Sequence, residues 1–199
     1  MSRTSAPARF AIKYLGVALV VIACTSCAAS SSRMARPTHA GTGGNPKKAH
    51  ALATEALGVM ESNPARAEEL LHAALKADPY DGPAHNDLGV LCLRQSRLYE
   101  AATEFEVARK LMPGSPDPRL NLGLTFERAG LYERAFTAYD AALEAWPAHI
   151  RTIEAIARLT LRTGRTSDRL PGMLEDIALR GETSNWRSWA KEQMSRLKR

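Results

Sequence analysis

Apolar and small residues recur along this chain at a fixed interval of 34 positions. Large apolar residues form one such series and alanines form another. The two series are Leu88, Leu122 and Ile156, and Ala67, Ala101 and Ala135. A period of this length is typical of paired antiparallel helices stacked in a row. The pattern therefore predicts an all-α solenoid made of helix-turn-helix units.

Residues with special backbone properties follow the same interval and mark the predicted helix ends. Ser96, Gly130 and Gly164 fall between the first and second helix of successive units, where glycine has the backbone freedom that a helix end needs. Pro113 and Pro147 fall where the second helices should stop, because proline cannot continue the backbone hydrogen-bond ladder.

Small residues of one helix are predicted to face large residues of its partner. Gly89 and Gly123 lie on first helices, where the missing Cβ lets the second helix approach closely. Phe105 and Tyr139 on the second helices would fill the adjacent space. This arrangement resembles the tetratricopeptide repeat, with its pattern W-x2-L-G-x2-Y, A-x3-F and a final proline. The resemblance implies a fold and a protein-binding role.

The match is strong in two units, 82–115 and 116–149, and weaker in the flanking ones. The unit 48–81 matches in its second helix, with Asn63 as cap and Pro64 in the first turn. The unit 150–181 matches well only in its first helix. In its second helix, Arg169 replaces the small alanine and Pro171-Gly172 is expected to interrupt the helix. Residues 182–199 are predicted to form a capping helix. Its apolar face would consist of Trp186, Trp189, Ala190, Met194 and Leu197.

The first 23 residues follow the plan of a signal peptide. Residues 1–13 are basic and polar, and residues 14–23 are apolar without a charge. Ten residues give about 15 Å of helix, roughly half of the hydrocarbon thickness of a bilayer. We therefore predict a targeting signal and not a membrane-spanning helix.

Val21-Ile22-Ala23-Cys24 resembles the lipobox of bacterial lipoproteins. The resemblance implies that Cys24 receives a diacylglyceryl group and becomes the first residue of the mature chain, anchored in the membrane by lipid. Because Thr25, and not aspartate, follows the cysteine, it also implies the outer membrane, facing the periplasm. Simple secretion, a retained anchor and modification at Cys27 are the alternatives. Residues 24–47, rich in glycine and serine, are predicted to be a flexible tether.

Charge and composition favour no catalytic or nucleic-acid chemistry. The net charge of +6 falls to +3 without residues 1–23, so it gives no reason to expect a nucleic-acid partner. Cys92 is predicted to be a small buried hydrophobe, and His85 a partly exposed helix residue. No motif indicates an enzyme, a metal or other cofactor, or a small-molecule substrate.

The resemblance further implies a concave groove lined by first helices. The predicted lining residues are Asn86, Val90, Leu93, Arg94, Asp117, Leu120, Leu124, Glu127, Arg128, Arg151, Glu154, Arg158, Leu161 and Arg162. Arginines with apolar residues between them suit an extended or helical peptide of some acidic character. The alternative is a solvated helix face. The clamp with which some family members hold a terminal carboxylate is not predicted, since Leu52 and Ala56 stand at two of its places.

These expectations combine into an envelope adaptor that binds another envelope protein or a peptide segment of one. A more specific possibility is a role like that of the pilotin lipoproteins, which help secretin or type IV pilus assembly. A second specific possibility is a scaffold that recruits a cell-wall enzyme.

Overall fold

The computed structural model describes residues 44–197, in which nine helices follow one another. They are α1 Pro46–Val59, α2 Pro64–Ala77, α3 Gly82–Arg94, α4 Leu98–Leu111, α5 Asp117–Arg128, α6 Tyr132–Ala145, α7 Ile150–Thr163, α8 Leu170–Arg180 and α9 Ser184–Leu197. None of these helices is long and apolar enough to cross a bilayer. The predicted signal peptide, Cys24, Cys27 and most of the predicted tether lie outside the described residues.

Two asparagines begin the first pair of helices in the same way. The Asn45 side chain accepts a hydrogen bond from the Lys48 backbone N–H at 3.0 Å, and Asn63 accepts one from Arg66 at 3.1 Å. Each asparagine precedes a proline in the first helical turn, where the missing N–H costs nothing. Helix α1 therefore begins at Pro46 and includes the last two residues of the predicted tether.

The left-handed turns lie where the sequence period places them. Ser96, Gly130 and Gly164 have φ angles of 62°, 75° and 67°, each between the two helices of a unit. Ser96 is the one residue other than glycine with positive φ in the described chain. A side chain in this region costs about 1 kcal/mol, because its Cβ crowds the following carbonyl oxygen.

We therefore expect Ser96→Gly to raise the free energy of unfolding by about 0.5–1 kcal/mol, since glycine adopts this φ without strain. Urea denaturation followed by circular dichroism would measure it. The reverse exchange, Gly164→Ser, should lower stability by a similar amount. Two shifts of the same sign would contradict the argument.

Glycines and aromatic rings pack as predicted. A Cβ on Gly89 would lie 2.6 Å from the Phe105 ring, and one on Gly123 would lie 2.3 Å from the Tyr139 ring. Both rings are fully buried, as is Ala135 on the second helix. The pairing of small with large residues across each unit is thus confirmed, and any side chain at either glycine would displace a ring.

First helices of successive units pack against one another, and second helices do not to a comparable extent. Helix α3 contacts α5 and α5 contacts α7, whereas α4 and α6 share no similar contact in the described region. A stack of helix pairs curves toward the side on which neighbouring helices pack more closely, which here is the side of the first helices. We call the exposed surface of α3, α5 and α7 the inner face.

The last unit departs from the predicted register. Helix α6 begins 34 residues after α4, but α8 begins 38 residues after α6. Pro171 does not interrupt the helix; it occupies the first turn of α8 and so sets where the helix starts.

In α9, Ala190 is buried and the two tryptophans and Met194 pack against the core. Leu197 does not join them, because 53% of its surface is exposed.

Candidate functional site

The inner face carries a line of partly exposed apolar side chains. Val90 and Leu93 of α3, Leu124 of α5 and Leu161 of α7 are half-buried and pack on the core with one side. Their remaining surface is open to solvent. Four such residues on the first helices of three successive units form an apolar track where the sequence predicted a groove.

Leu120 does not belong to this track. It was predicted to line the groove, but only 2% of its surface is exposed. It lies in the core between helices. A partner could not reach it without disrupting the packing, so Leu120 is a stability residue and not a contact residue.

Glu127 is also withdrawn from solvent, because three neighbours bond to its carboxylate. The Tyr139 hydroxyl donates to it at 2.6 Å, and Arg158 Nη2 lies 3.0 and 3.1 Å from its two oxygens. Arg162 Nη1 lies 3.0 Å from it. The Glu127 side chain is 7% exposed, whereas those of Arg158 and Arg162 are 40% and 48% exposed. The acid is thus internal, and the two guanidinium groups reach the surface.

The polar role of Tyr139 in this cluster could not be predicted from the repeat pattern. Tyr139 was assigned to packing alone, which its full burial confirms, but its hydroxyl also fixes Glu127. Burial, the hydrogen bond to Glu127 and the charge of that carboxylate raise the pKa of Tyr139 well above its usual range. The phenol therefore stays protonated and remains a donor.

Other polar residues of the inner face hold adjacent helices together. The Asn121 side-chain amide donates to Asn86 at 2.9 Å, linking α5 to α3. Arg128 Nη1 donates to the Leu93 carbonyl oxygen at 2.7 Å, and Arg94 pairs with Glu61. Arg94 and Arg128 are exposed, so both can also meet a partner. Asn86 is half-buried and has one acceptor already occupied.

Three ionisable side chains meet where α5 and α7 begin. Asp117 of α5 lies 3.7 Å from both Arg151 Nη1 and His149 Nε2 at the beginning of α7. Desolvation by burial lowers the pKa of His149, against the attraction of Asp117. Glu154 is 3% exposed and accepts the Glu182 backbone N–H at 2.8 Å, and burial raises its pKa. Glu154 was predicted to line the groove and is instead internal.

Among residues 44–197, no cationic group contributes to the pKa shift of Asp87. Burial raises the pKa of its carboxyl to about 6, with the Asn86 side chain opposing the shift and the charge of Asp81 adding to it. The unfolded carboxyl titrates near 3.9. Between these values the folded chain holds a proton that the unfolded chain has released, so stability falls as the pH rises from about 4 to 6.

We expect Asp87→Asn to raise the free energy of unfolding at pH 7 by roughly 1–3 kcal/mol, because a neutral amide avoids the buried charge. Urea unfolding at pH 4 and pH 7 would show a gain that is small at pH 4 and complete above pH 6. The exposed Asp168→Asn should change stability by less than about 0.5 kcal/mol at either pH. An equal gain for Asp87→Asn at both pH values would contradict the assignment.

Cys92 and His85 occupy interior positions of α3. Cys92 is buried as predicted, with 2% of its surface exposed, and burial raises the pKa of its free thiol to about 11. The His85 side chain is only 14% exposed. Its ring nitrogens lie 2.6 Å from Glu104 and 3.1 Å from the Pro79 carbonyl oxygen, so His85 is a partly exposed helix residue, as predicted, with both ring nitrogens bonded. In residues 44–197 no three His, Cys, Asp or Glu side chains are placed to hold a metal ion.

Comparison with known proteins agrees with this geometry. A family model described as tetratricopeptide repeat matches residues 61–116 and 113–150. These segments hold the buried glycine and aromatic pairs of α3 to α6 and the turns at Ser96 and Gly130. The fold is a tetratricopeptide-repeat solenoid.

Several solved structures share the solenoid fold. The hetero-tetramer Cut9–Hcn1 of the APC/C aligns with a TM-score of 0.62 and 20% identity, over 72% of this chain and 29% of that one. The first tetratricopeptide-repeat domain of Spaghetti (RPAP3), bound to the HSP90 peptide SRMEEVD, aligns with a TM-score of 0.58 and 16% identity. That alignment covers 62% of this chain and 99% of the other chain.

An enzyme also contains a comparable solenoid. A mutant O-GlcNAc transferase of Thermobaculum terrenum aligns with a TM-score of 0.60 and 22% identity, over 71% of this chain and 26% of that one. Among curated sequences, tetratricopeptide repeat protein 8 of Mus musculus is 26% identical over 104 residues. These residues are 52% of this chain and 20% of the mouse protein, so the chain spans about a fifth of that relative's length.

Proposed function

We propose that this protein is an adaptor whose inner face binds a segment of another protein. The apolar track of Val90, Leu93, Leu124 and Leu161 carries the proposal. Half-buried aliphatic side chains in a row, on helices that are already fixed to one another, offer a rigid surface to a peptide. Rigid surfaces lose little conformational entropy on binding.

The charges beside the track suggest the chemistry of the bound segment. Arg94 and Arg128 flank it on α3 and α5, and Arg158 and Arg162 flank it on α7. Of the three acids predicted to line the groove, Glu127 and Glu154 are internal, and Asp117, whose side chain is 48% exposed, pairs with Arg151. A segment with apolar anchors and acidic residues would therefore be complementary. The first tetratricopeptide-repeat domain of Spaghetti, which is similar in fold, is bound to SRMEEVD, a peptide with three acidic residues among seven.

Photo-crosslinking in cells tests the surface. A photoreactive residue in place of Leu93 or Leu124 should capture a discrete partner, identified by mass spectrometry. The same residue at Tyr99, which is 86% exposed on the outer helix α4, is the matched control. Capture of the same protein from Tyr99 and not from the inner face would place the binding surface elsewhere.

We also propose that Cys24 carries a lipid that holds the solenoid at the envelope, on the outer membrane facing the periplasm. The support is the segment Val21-Ile22-Ala23-Cys24 and the apolar run before it. Two or more acyl chains would anchor the chain stably. Growth with a palmitate analogue should label the protein, Cys24→Ala should abolish the label, and Cys27→Ala should preserve it. Label that persists in Cys24→Ala would contradict the assignment.

A further inference from the structure

A pocket of about 430 Å³ opens where the inner helix α7 meets the beginning of α9. Its lining residues are Arg158, Thr183, Asn185, Trp186 and Trp189. Volumes of roughly 300–1,000 Å³ are usual for ligand sites. The pocket joins one arginine of the inner face to the two tryptophans that the sequence assigned only to capping.

Arg158 brings positive charge that the described chain does not balance. Arg158 and Arg162 share a single carboxylate, that of Glu127, which also accepts from Tyr139. One acid therefore faces two guanidinium groups. Only Nη2 of Arg158 bonds to it, and Nε is buried without a hydrogen-bond partner among the described residues. Buried polar groups are nearly always bonded, so this guanidinium is short of acceptors.

The rest of the lining is apolar or polar without an acid. The rings of Trp186 and Trp189 stand perpendicular, with centroids 5.1 Å apart, and both side chains are half-buried. The Asn185 side chain is exposed, and the Thr183 hydroxyl accepts the Trp186 backbone N–H at 3.3 Å. A guanidinium beside two indole faces fits a carboxylate next to an apolar group.

We propose that this pocket binds an acidic side chain of the partner segment, with the neighbouring apolar residue of that segment packed against Trp186 and Trp189. The inference rests on the proposed binding at the inner face, since Arg158 belongs to both surfaces. The pocket is open, and the arginines continue from it along α7 to Arg162 and across α5 to Arg128. A segment that passes through it, and not a chain end, matches that row of charge.

Titration of the purified full chain with defined peptides tests the pocket. The probe is an acetylated and amidated hexapeptide, Ala-Ala-Glu-Phe-Ala-Ala, and its controls have glutamine for glutamate. Tryptophan fluorescence reports binding, in a Trp146→Phe background that leaves only the two pocket tryptophans. Charge-assisted hydrogen bonds predict that the glutamine peptide binds about ten- to one-hundredfold more weakly.

Two variants place the effect at Arg158. Arg158→Gln should weaken binding of the glutamate peptide by about tenfold or more, whereas Arg165→Gln, whose guanidinium pairs with Glu133, should change it less than about twofold. Asn185→Glu supplies a competing carboxylate at an exposed position and should weaken binding even if Arg158→Gln unfolds. Equal binding of the glutamine peptide, or of the chain carrying Asn185→Glu, would overturn the proposal.

The acid bound in the pocket could be an internal side chain or the terminal carboxylate of a chain. A peptide with neutral side chains and a free terminal carboxylate distinguishes the two. Binding of this peptide as tight as that of the glutamate peptide would overturn the assignment to an internal acidic side chain.

Crosslinking distinguishes failure of this inference from failure of the proposed adaptor function on which it rests. Crosslinks from Leu93 and Leu124 that persist at full yield in Asn185→Glu would reject the pocket and keep the adaptor, whereas their absence in the parent chain would reject the adaptor.

Discussion

Tyr139→Ala should lower the free energy of unfolding by about 3–5 kcal/mol, which is the usual cost of removing a buried aromatic ring. The Tyr139 ring is fully buried and fills the space left by Gly123. Its removal leaves a cavity between α5 and α6 and takes one donor from Glu127. Urea denaturation of the parent and the variant, monitored by circular dichroism, would measure the loss.

Two further variants divide this effect between packing and hydrogen bonding. Tyr139→Phe keeps the ring and should cost about 1–3 kcal/mol, because Glu127 loses a buried donor. Tyr99→Ala removes a tyrosine that is 86% exposed and should cost less than about 0.5 kcal/mol. If Tyr139→Ala cost no more than Tyr99→Ala, the core placement of the ring would be wrong.

Glu127→Ala is expected to have the second-largest effect, a loss of about 2–4 kcal/mol. Removal of one partner from a buried pair costs about 3–5 kcal/mol, and the figure is lower here because both guanidinium groups are partly hydrated. The Tyr139 hydroxyl would also lose its acceptor. Thermal unfolding at low salt would measure the change.

Glu133→Ala is the matched control for Glu127→Ala. Glu133 bonds to Arg165 at 2.9 Å, but its side chain is 83% exposed, so its loss should cost less than about 0.5 kcal/mol. Similar losses for the two variants would show that the Glu127 cluster gives no more stability than an exposed pair.

The helices, their turns and the inner core could be predicted because they depend on local chemistry repeated every 34 residues. Gly89 opposite Phe105 and Gly130 in its turn follow from backbone sterics that a single position reveals. The fold class was therefore predicted correctly, as an all-α tetratricopeptide-repeat solenoid.

The chemistry of the inner face was harder to predict, because it depends on how far side chains reach between units. Glu127 occupies a groove position by register, yet Tyr139 of α6 and two arginines of α7 draw it inside. The pocket beside Arg158 depends in turn on the place of α9, which follows the shifted start of α8. Neither could be seen from a repeat pattern that ends before Pro171.

The direction of the arginine bonds bears on how the chain assembles. Arginines of later units bond to acceptors located 29 to 35 residues earlier. They are Arg94, Arg97, Arg128, Arg158, Arg162, Arg165, Arg169 and Arg180. Each bond joins neighbouring parts of the stack, so contacts stay short in sequence and favour rapid folding. During synthesis each acceptor leaves the ribosome before its arginine, so every unit is completed by the one translated after it, and the solenoid closes in the order in which it is made.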